Sequence, residues 1–171
     1  METWDAITSR RNIREFSNQT IEAGSLDRIL EAGRRTPSSR NWQPWDFVVV
    51  IDAAQRAELA GVWRGAWHVA NAPVAVAIIA PQLDTEREQH ILHFDLGQAV
   101  MSMMLAAADL GIGTGHAAVA DQDLARSILE FPDDRFCAYL ISFGFPVDGP
   151  LRPLKSVNRR SFEEIVHRHR W

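Results

Sequence analysis

Apolar residues that recur three and four positions apart predict several helices along the chain. The predicted helices are a short one marked by Trp4 and Ile7, one from 25 to about 35, one from Ala53 to about Gly61, and one marked by Leu124 and Ile128. Asp52 and Asp121 precede the last two of these and suit the N-cap position, where a carboxylate accepts from unpaired backbone N–H groups. Ser161 and Glu164 form a capping box, which predicts a final helix near the C-terminus.

The longest helical candidate extends from about Glu86 to Leu110 and is apolar on nearly every face from Ala99 onward. A helix that is apolar all round lies in the centre of a fold or in an interface between subunits. A monomer would expose too much of this surface, so the pattern predicts a dimer.

Short runs of apolar and β-branched residues predict buried strands between the helices. These runs are Phe47–Ile51, Pro73–Ala80 and Cys137–Gly144. Helices outnumber and separate the strands, so the pattern indicates an α+β or α/β class with a layered sheet. No repeat, low-complexity tract or linker divides the sequence, and we expect residues 1–171 to form a single domain.

Composition then narrows the function classes. With 46% hydrophobic and 23% charged residues, the chain has the make-up of a soluble globular protein. The formal net charge of -4 argues against nucleic acid as the main partner, because general DNA or RNA binding needs a broad basic face. We find no apolar signal core and no run that reaches the length of a membrane span, and Cys137 is the only cysteine. We therefore expect a cytoplasmic protein without an internal disulfide.

Two arginine clusters stand out against this acidic balance. Arg10, Arg11 and Arg14 lie close together near one end of the chain, and Arg159 and Arg160 lie near the other. Guanidinium groups hold phosphate through planar, charge-assisted hydrogen bonds, so a phosphorylated cofactor is the first candidate ligand. If the fold brings the ends together, the clusters form one phosphate pocket. The alternative is a solvated basic turn, since all but one of the 18 basic residues are arginine.

The loop from Thr36 to Trp45, after the second helix, is rich in short polar side chains, amides and tryptophans. Asn41 and Gln43 carry both donors and acceptors, as needed to recognise the edge of a heteroaromatic ring such as the flavin pyrimidine. The loop is also long enough to reach a partner subunit. The alternative is an ordinary helix-to-strand connection with two aromatic plugs.

The remaining motifs favour structural roles. The glycines from Gly111 to Gly115 follow a helix rather than a strand, so we reject a dinucleotide-binding fingerprint. We expect them to end the helix and to let the backbone approach something flat.

The histidine pairs, His90 with His93 and His167 with His169, lack a neighbouring cysteine or an HExxH motif. This absence favours surface or interface roles over a metal site. Cys137, in a buried strand, is a poor candidate nucleophile.

Taken together, these segments resemble the FMN-dependent nitroreductase superfamily over nearly the whole chain. The resemblance rests on the order and spacing of SRRNIREF, RTPSSRNWQPWDFVVV, ANAPVAVAII, DLGQAVMSMMLAAADLGIGTG, SFGFP and RRSFEEIVHRHRW. It implies an α+β layered fold with a central, mostly antiparallel sheet flanked by helices. It also implies a homodimer with the long helix in its interface and two FMN sites between the subunits.

The same resemblance implies which residues hold the cofactor. Four residues match the motif that contacts the phosphate and the ring: Arg10, Arg11, Asn12 and Arg14. The loop that the partner subunit contributes is matched by Pro37, Ser38, Ser39 and Asn41, and the C-terminal basic pair is matched by Arg159 and Arg160. The backbone beside flavin N5 is matched by Ala117, Ala118 and Val119. This short chain has little sequence for a lid, so the substrate pocket is open or shaped by the partner's tryptophans, namely Trp42, Trp63 and Trp67. The family's usual lysine near the flavin has no clear equivalent, and no metal is expected.

As an activity, the resemblance implies that NAD(P)H reduces nitroaromatics, quinones or similar small acceptors through flavin N5, with ping-pong kinetics and no obligatory catalytic side chain. Other redox chemistry on the same fold stays open, including ene reduction, dehalogenation, dehydrogenation and use of a deazaflavin. A non-catalytic flavin-binding or storage protein is a further alternative, which predicts colour without NAD(P)H oxidation.

Overall fold

The computed structural model describes residues 1–171 and has a four-stranded sheet between layers of helices. The helices are α1 (Thr3–Ser9), α2 (Ala23–Arg34), α3 (Ala53–Leu59), α4 (His68–Asn71), α5 (Glu86–Asp109), α6 (Gln122–Leu129) and α7 (Phe162–Ile165), and the strands are β1 (Asp46–Val50), β2 (Val74–Pro81), β3 (Gly113–Ala118) and β4 (Arg135–Gly144). The strand order is β1-β2-β4-β3, and every neighbouring pair is antiparallel. This architecture confirms the α+β class with an antiparallel sheet.

Strand β2 separates two hydrophobic cores, because its alternate side chains enter opposite layers. Val76 and Ile78 pack in the core with α2 and α5, whereas Ala75 and Ala77 pack in the core with α3, α4 and α6. All but the last residue of the strand are buried. A strand covered on both faces needs apolar residues at every position, which explains the unbroken run PVAVAIIA.

Helix α5 is both a core helix and a surface helix. Leu96 and Met103 are fully buried, whereas Phe94 and Met101 are 68% and 42% exposed. By length and composition this helix could cross a membrane, with a mean hydropathy of 1.4 over its most apolar stretch, although the sequence analysis found no run of that length. However, 44% of that stretch is buried inside the fold. Packing against α2 and the sheet accounts for the apolar inner face.

The predicted caps are confirmed. The Asp52 carboxylate accepts from the N–H of Gln55 at 2.8 Å, and the Asp121 carboxylate accepts from the N–H of Leu124 at 2.9 Å. The capping box at Ser161 is also present, although the helix it starts is only four residues long. The structure adds β3 and α4, which the sequence pattern did not predict.

Candidate functional site

The N-terminal edge segment, residues 12–16, lies along the outer side of β3. The N–H of Ile13 donates to the carbonyl of Thr114 at 2.8 Å, and Phe16 forms a bridge with Pro146 just beyond β4. The arginines of the SRRNIREF motif are therefore attached to the edge of the sheet rather than to a free terminus.

Two glycines of β3 make this close approach possible. A Cβ added at Gly113 would lie 2.8 Å from the Ile13 side chain, and one at Gly115 would lie 2.6 Å from the Ile13 carbonyl oxygen. Gly111 has a positive φ of 74° and ends helix α5, as the sequence predicts. Gly113 and Gly115 lie in β3, and the backbone that approaches them closely is the edge segment.

Two of the N-terminal arginines, Arg10 and Arg14, lie near a histidine on β3. His116 points away from the α3–α6 core, and desolvation followed by the charges of Arg10 and Arg14 lowers its pKa. None of Arg10, Arg11 and Arg14 forms an ion pair with an acidic side chain. Guanidinium groups without an ion-pair partner suit an anionic ligand, although Glu15 and Asp148 also line the cleft beside them.

A cleft of about 310 Å³ opens beside this cluster. Its lining comes from the edge segment, the start of α4 and the chain after β4, and comprises Arg11, Asn12, Ile13, Arg14, Glu15, Trp67, Pro146 and Asp148. The cleft thus joins three of the residues that sequence resemblance assigns to the cofactor with one of the three tryptophans assigned to the substrate.

The backbone at the end of β3 has an unused donor. Ala117 is buried and Ala118 is exposed, and the strand ends there. The N–H of Val119 makes no backbone hydrogen bond, while its carbonyl accepts from the Gln122 side chain at 3.3 Å. This N–H has no hydrogen-bond partner within the protein, which makes it a candidate donor to a ligand.

The loop with Ser38, Ser39 and Asn41 is held in one conformation by helix α5. The buried Asp95 carboxylate accepts from the Ser39 N–H at 2.9 Å and from the Ser39 hydroxyl at 3.3 Å. Asn41 and its neighbour Arg40 have positive φ values of 58° and 54°, which only a well-fixed loop maintains in residues other than glycine. Together with the exposed face of α5, Pro37 lines a separate groove of about 580 Å³.

The two remaining groups of predicted residues share no hydrogen bond and no cleft with the arginine cluster. Arg159 donates to the carbonyl of Asn158 at 2.7 Å and Arg160 to that of Glu164 at 2.8 Å, so both bond only to their own segment. Trp42 and Trp63 are 43% and 37% exposed and line neither the 310 Å³ cleft nor the groove on α5. Within one chain, therefore, the structure joins the N-terminal arginines with Trp67 but does not join them with the C-terminal pair.

Sequence reasoning overlooked a buried histidine behind β3. His68 is fully buried, and its Nδ1 lies 2.7 Å from the hydroxyl of Ser142, which donates to the carbonyl of Gly115 at 3.2 Å. Desolvation, and then the charge of Arg14, lowers the pKa of His68. These bonds support the strand that carries His116. The only signal in the sequence was a lone polar residue before an apolar strand.

Cys137 lies deep in the second core, and burial raises the pKa of its thiol to about 12. A protonated, enclosed thiol is a poor nucleophile, in agreement with the sequence-based interpretation.

Comparison with known proteins gives one matching family model, described as the Nitroreductase family, over residues 7–73 and 65–145. These overlapping stretches extend from α1 to the end of the sheet. A predicted NADH dehydrogenase/NAD(P)H nitroreductase of Archaeoglobus fulgidus is 27% identical over 169 residues, which cover 96% of each chain. An FMN reductase (NAD(P)H) of Bacillus subtilis is 26% identical, over 91% of this chain and 72% of its own length.

Among solved structures, an FMN-dependent nitroreductase of Clostridium difficile superposes with a TM-score of 0.84. The alignment covers 97% of this chain and 98% of that one, at 24% sequence identity. At this identity the likeness shows a shared fold.

Proposed function

Because the chain belongs to the nitroreductase family, we propose that it is an FMN-dependent oxidoreductase that uses NAD(P)H to reduce small acceptors such as nitroaromatics or quinones. The names of its relatives support the cofactor and the electron donor, since one is an FMN reductase (NAD(P)H) and another an NAD(P)H nitroreductase.

The observation that carries the proposal is the arginine cluster without an ion-pair partner at the edge of β3. Arg10 and Arg14 lie close enough to His116 to lower its pKa, and neither forms an ion pair with a carboxylate. The unpaired N–H of Val119 lies at the end of the same strand. A ligand with a phosphate group and a hydrogen-bonding ring fits both features, and FMN has both.

When bound, FMN would supply reversible hydride acceptance at N5. The protein would contribute position and charge: Arg10 and Arg14 hold anionic groups of the cofactor, and the Val119 N–H offers a hydrogen bond to the ring. Fixed donors of this kind are effective because they need no rearrangement during the reaction. Donor and acceptor would use the same open site in turn, which predicts ping-pong kinetics without a side-chain acid or base.

We further propose that the working form is a homodimer in which each subunit completes the other's site. The outer face of α5 exposes Phe94 and Met101, and α1 exposes 71% of Trp4. The loop that contains Ser39 is bound to Asp95 of the same helix. A second copy packed on α5 would cover this apolar surface and receive Ser38, Ser39 and Asn41 beside its own arginines.

The deciding experiment is an absorbance spectrum of the purified protein, followed by anaerobic addition of NADPH and then NADH. Flavin bands that bleach with either nucleotide support the proposal, and a panel of nitro, quinone, ene and halogenated acceptors then identifies the substrate class. Flavin bands that neither nucleotide bleaches would indicate a storage role or another reductant. No chromophore after incubation with FMN would refute the proposal.

The dimer has a separate test in sedimentation velocity at micromolar concentration. We expect one species with twice the mass of the chain. A monomer that still retains flavin would contradict the shared site while leaving the cofactor assignment intact.

A further inference from the structure

A second cleft, of about 680 Å³, lies between the chain after the edge segment, helix α3 and the loop from α4 to β2. Its polar lining differs from that of a hydrophobic core and consists of Glu15, Ser17, Asn18, Thr20, Arg56 and Asn71. Nothing in the proposed flavin chemistry uses this cleft.

Arg56 is the unusual residue in this lining. Arg56 is only 8% exposed. Its guanidinium makes a single hydrogen bond, in which Nη1 donates to the carbonyl of Ile51 at 2.5 Å. Nε is buried without a partner, and Nη2 makes no hydrogen bond within the protein. Burial lowers the pKa of Arg56. Buried charges are ordinarily paired, so this one is short of a partner.

No acidic side chain of the protein forms an ion pair with Arg56. Asp52 is near enough to favour the Arg56 cation, but its carboxylate is used to cap α3 through the N–H of Gln55. Glu15 lines the cleft and forms no ion pair with Arg56. Arg56 therefore has a carboxylate nearby but no direct partner within the chain for Nε or Nη2.

We propose that this cleft binds a small oxyanion of the hydrogen phosphate type, with Arg56 as its principal ligand. Nη2 has no partner within the protein, and a guanidinium N–H donates a charge-assisted hydrogen bond to an oxyanion oxygen. Nε is enclosed in the cleft wall, so Nη2 meets the occupant first.

The rest of the lining suits the same ligand. The side chains of Asn18, Thr20 and Asn71 make no hydrogen bonds within the protein and remain available as donors and acceptors. The Glu15 carboxylate is an acceptor only, so the occupant also needs a donor. Hydrogen phosphate carries an O–H group at neutral pH, whereas sulfate does not.

The test is calorimetric titration of the protein, with excess FMN present, with inorganic phosphate and separately with sulfate at constant ionic strength. We expect phosphate to bind more tightly than sulfate, and Arg56→Met to weaken phosphate binding about tenfold or more, as loss of charge-assisted hydrogen bonds predicts. Arg87→Met, which removes an exposed arginine of α5 outside the cleft, is the matched control and should bind as the original chain does.

A second variant keeps the test valid if Arg56→Met fails to fold. Asn18→Leu retains Arg56, alters an exposed position and should weaken phosphate binding about fivefold. Equal phosphate binding by the original chain and by both variants would overturn the proposal, as would no binding by the original chain. Equal affinity for sulfate would refute the role given to Glu15. Because each comparison is between variants, the result does not depend on whether the flavin is turned over.

Discussion

The two ends of the chain carry similar arginine clusters, yet the fold fixes only one of them. The N-terminal cluster belongs to a segment that bonds to Thr114 and packs on two glycines of β3. The C-terminal pair lies in a stretch, 152–171, in which every residue is exposed. Its anchor to the body is one backbone bond of 3.1 Å, from Leu154 to Thr8.

Backbone contacts therefore fix the positions of the N-terminal charges, whereas the C-terminal charges lack such support. One chain preorganises the N-terminal half of the proposed cofactor site. The C-terminal stretch instead exposes Phe162, Ile165 and Trp171, which a second subunit could cover. We expect the N-terminal arginines to dominate cofactor affinity and the C-terminal ones to contribute less.

The largest effect should come from Arg10→Ala combined with Arg14→Ala. Each lost charge-assisted hydrogen bond costs about 1.5–3 kcal/mol, so FMN affinity should fall about 100-fold or more and the protein should be purified colourless. The measurement is flavin content and FMN titration by fluorescence. Arg87→Ala is the control, and full yellow occupancy in the double variant would refute the assignment.

Displacing the edge segment should have the next largest effect. In Gly115→Ala the new Cβ would meet the Ile13 carbonyl at 2.6 Å, so the backbone must shift and the free energy of unfolding should fall by about 1–3 kcal/mol. Gly24→Ala is the control, because nothing lies within 4 Å of a Cβ there and alanine favours its helix. Unchanged urea denaturation of Gly115→Ala would show that the segment is loosely held.

Arg159→Ala combined with Arg160→Ala should have a smaller effect. Because the tail is exposed, we expect unchanged thermal unfolding of the cofactor-free protein and a loss of FMN affinity of about tenfold or less. Fluorescence titration beside the N-terminal double variant measures the contrast directly. An equal or larger loss in the C-terminal variant would reverse the comparison.

The smallest effect is a change in the titration of His116, followed by NMR. Arg14→Ala should raise the pKa of His116 because it removes a neighbouring positive charge, whereas Arg160→Ala should leave it unchanged. In the original chain the folded-state pKa is below 6.5, so protonation disfavours folding. The contribution of His116 to the free energy of unfolding is therefore fully present above pH 6.5 and is lost as the pH falls below that value. A shift in both variants would place the two clusters together.

Much of the fold was predictable because local rules and tertiary structure agree. Asp52 caps α3 as predicted, and β2 and α5 begin and end within two residues of the predicted bounds. Strand β3 was missed because GTGHAA has few residues with β propensity. Its glycines are required by the close approach of Ile13, which is a tertiary contact and leaves no local signal.

The candidate site was only partly predictable for a related reason. The sequence proposed Arg10 and Arg14 by their unusual density, but His68, and Arg56 in the second cleft, are single residues without a motif. Their distinctive property is an unmet hydrogen-bonding capacity in a buried place, which appears only when neighbours are known. The grouping of the edge segment with His116 likewise depends on the pairing of residues far apart in the chain.

That long-range pairing has a consequence for how the protein is made. Arg10 contacts Met104, 94 positions later, and Phe16 pairs with Pro146, which lies later still. Contacts of such separation form late, because closing a long loop costs entropy before any interaction compensates for it. During synthesis on the ribosome, the N-terminal arginines cannot make these contacts until most of the chain has emerged. The cofactor is therefore expected to join a nearly finished fold, and newly made protein should pass through a folded, colourless stage.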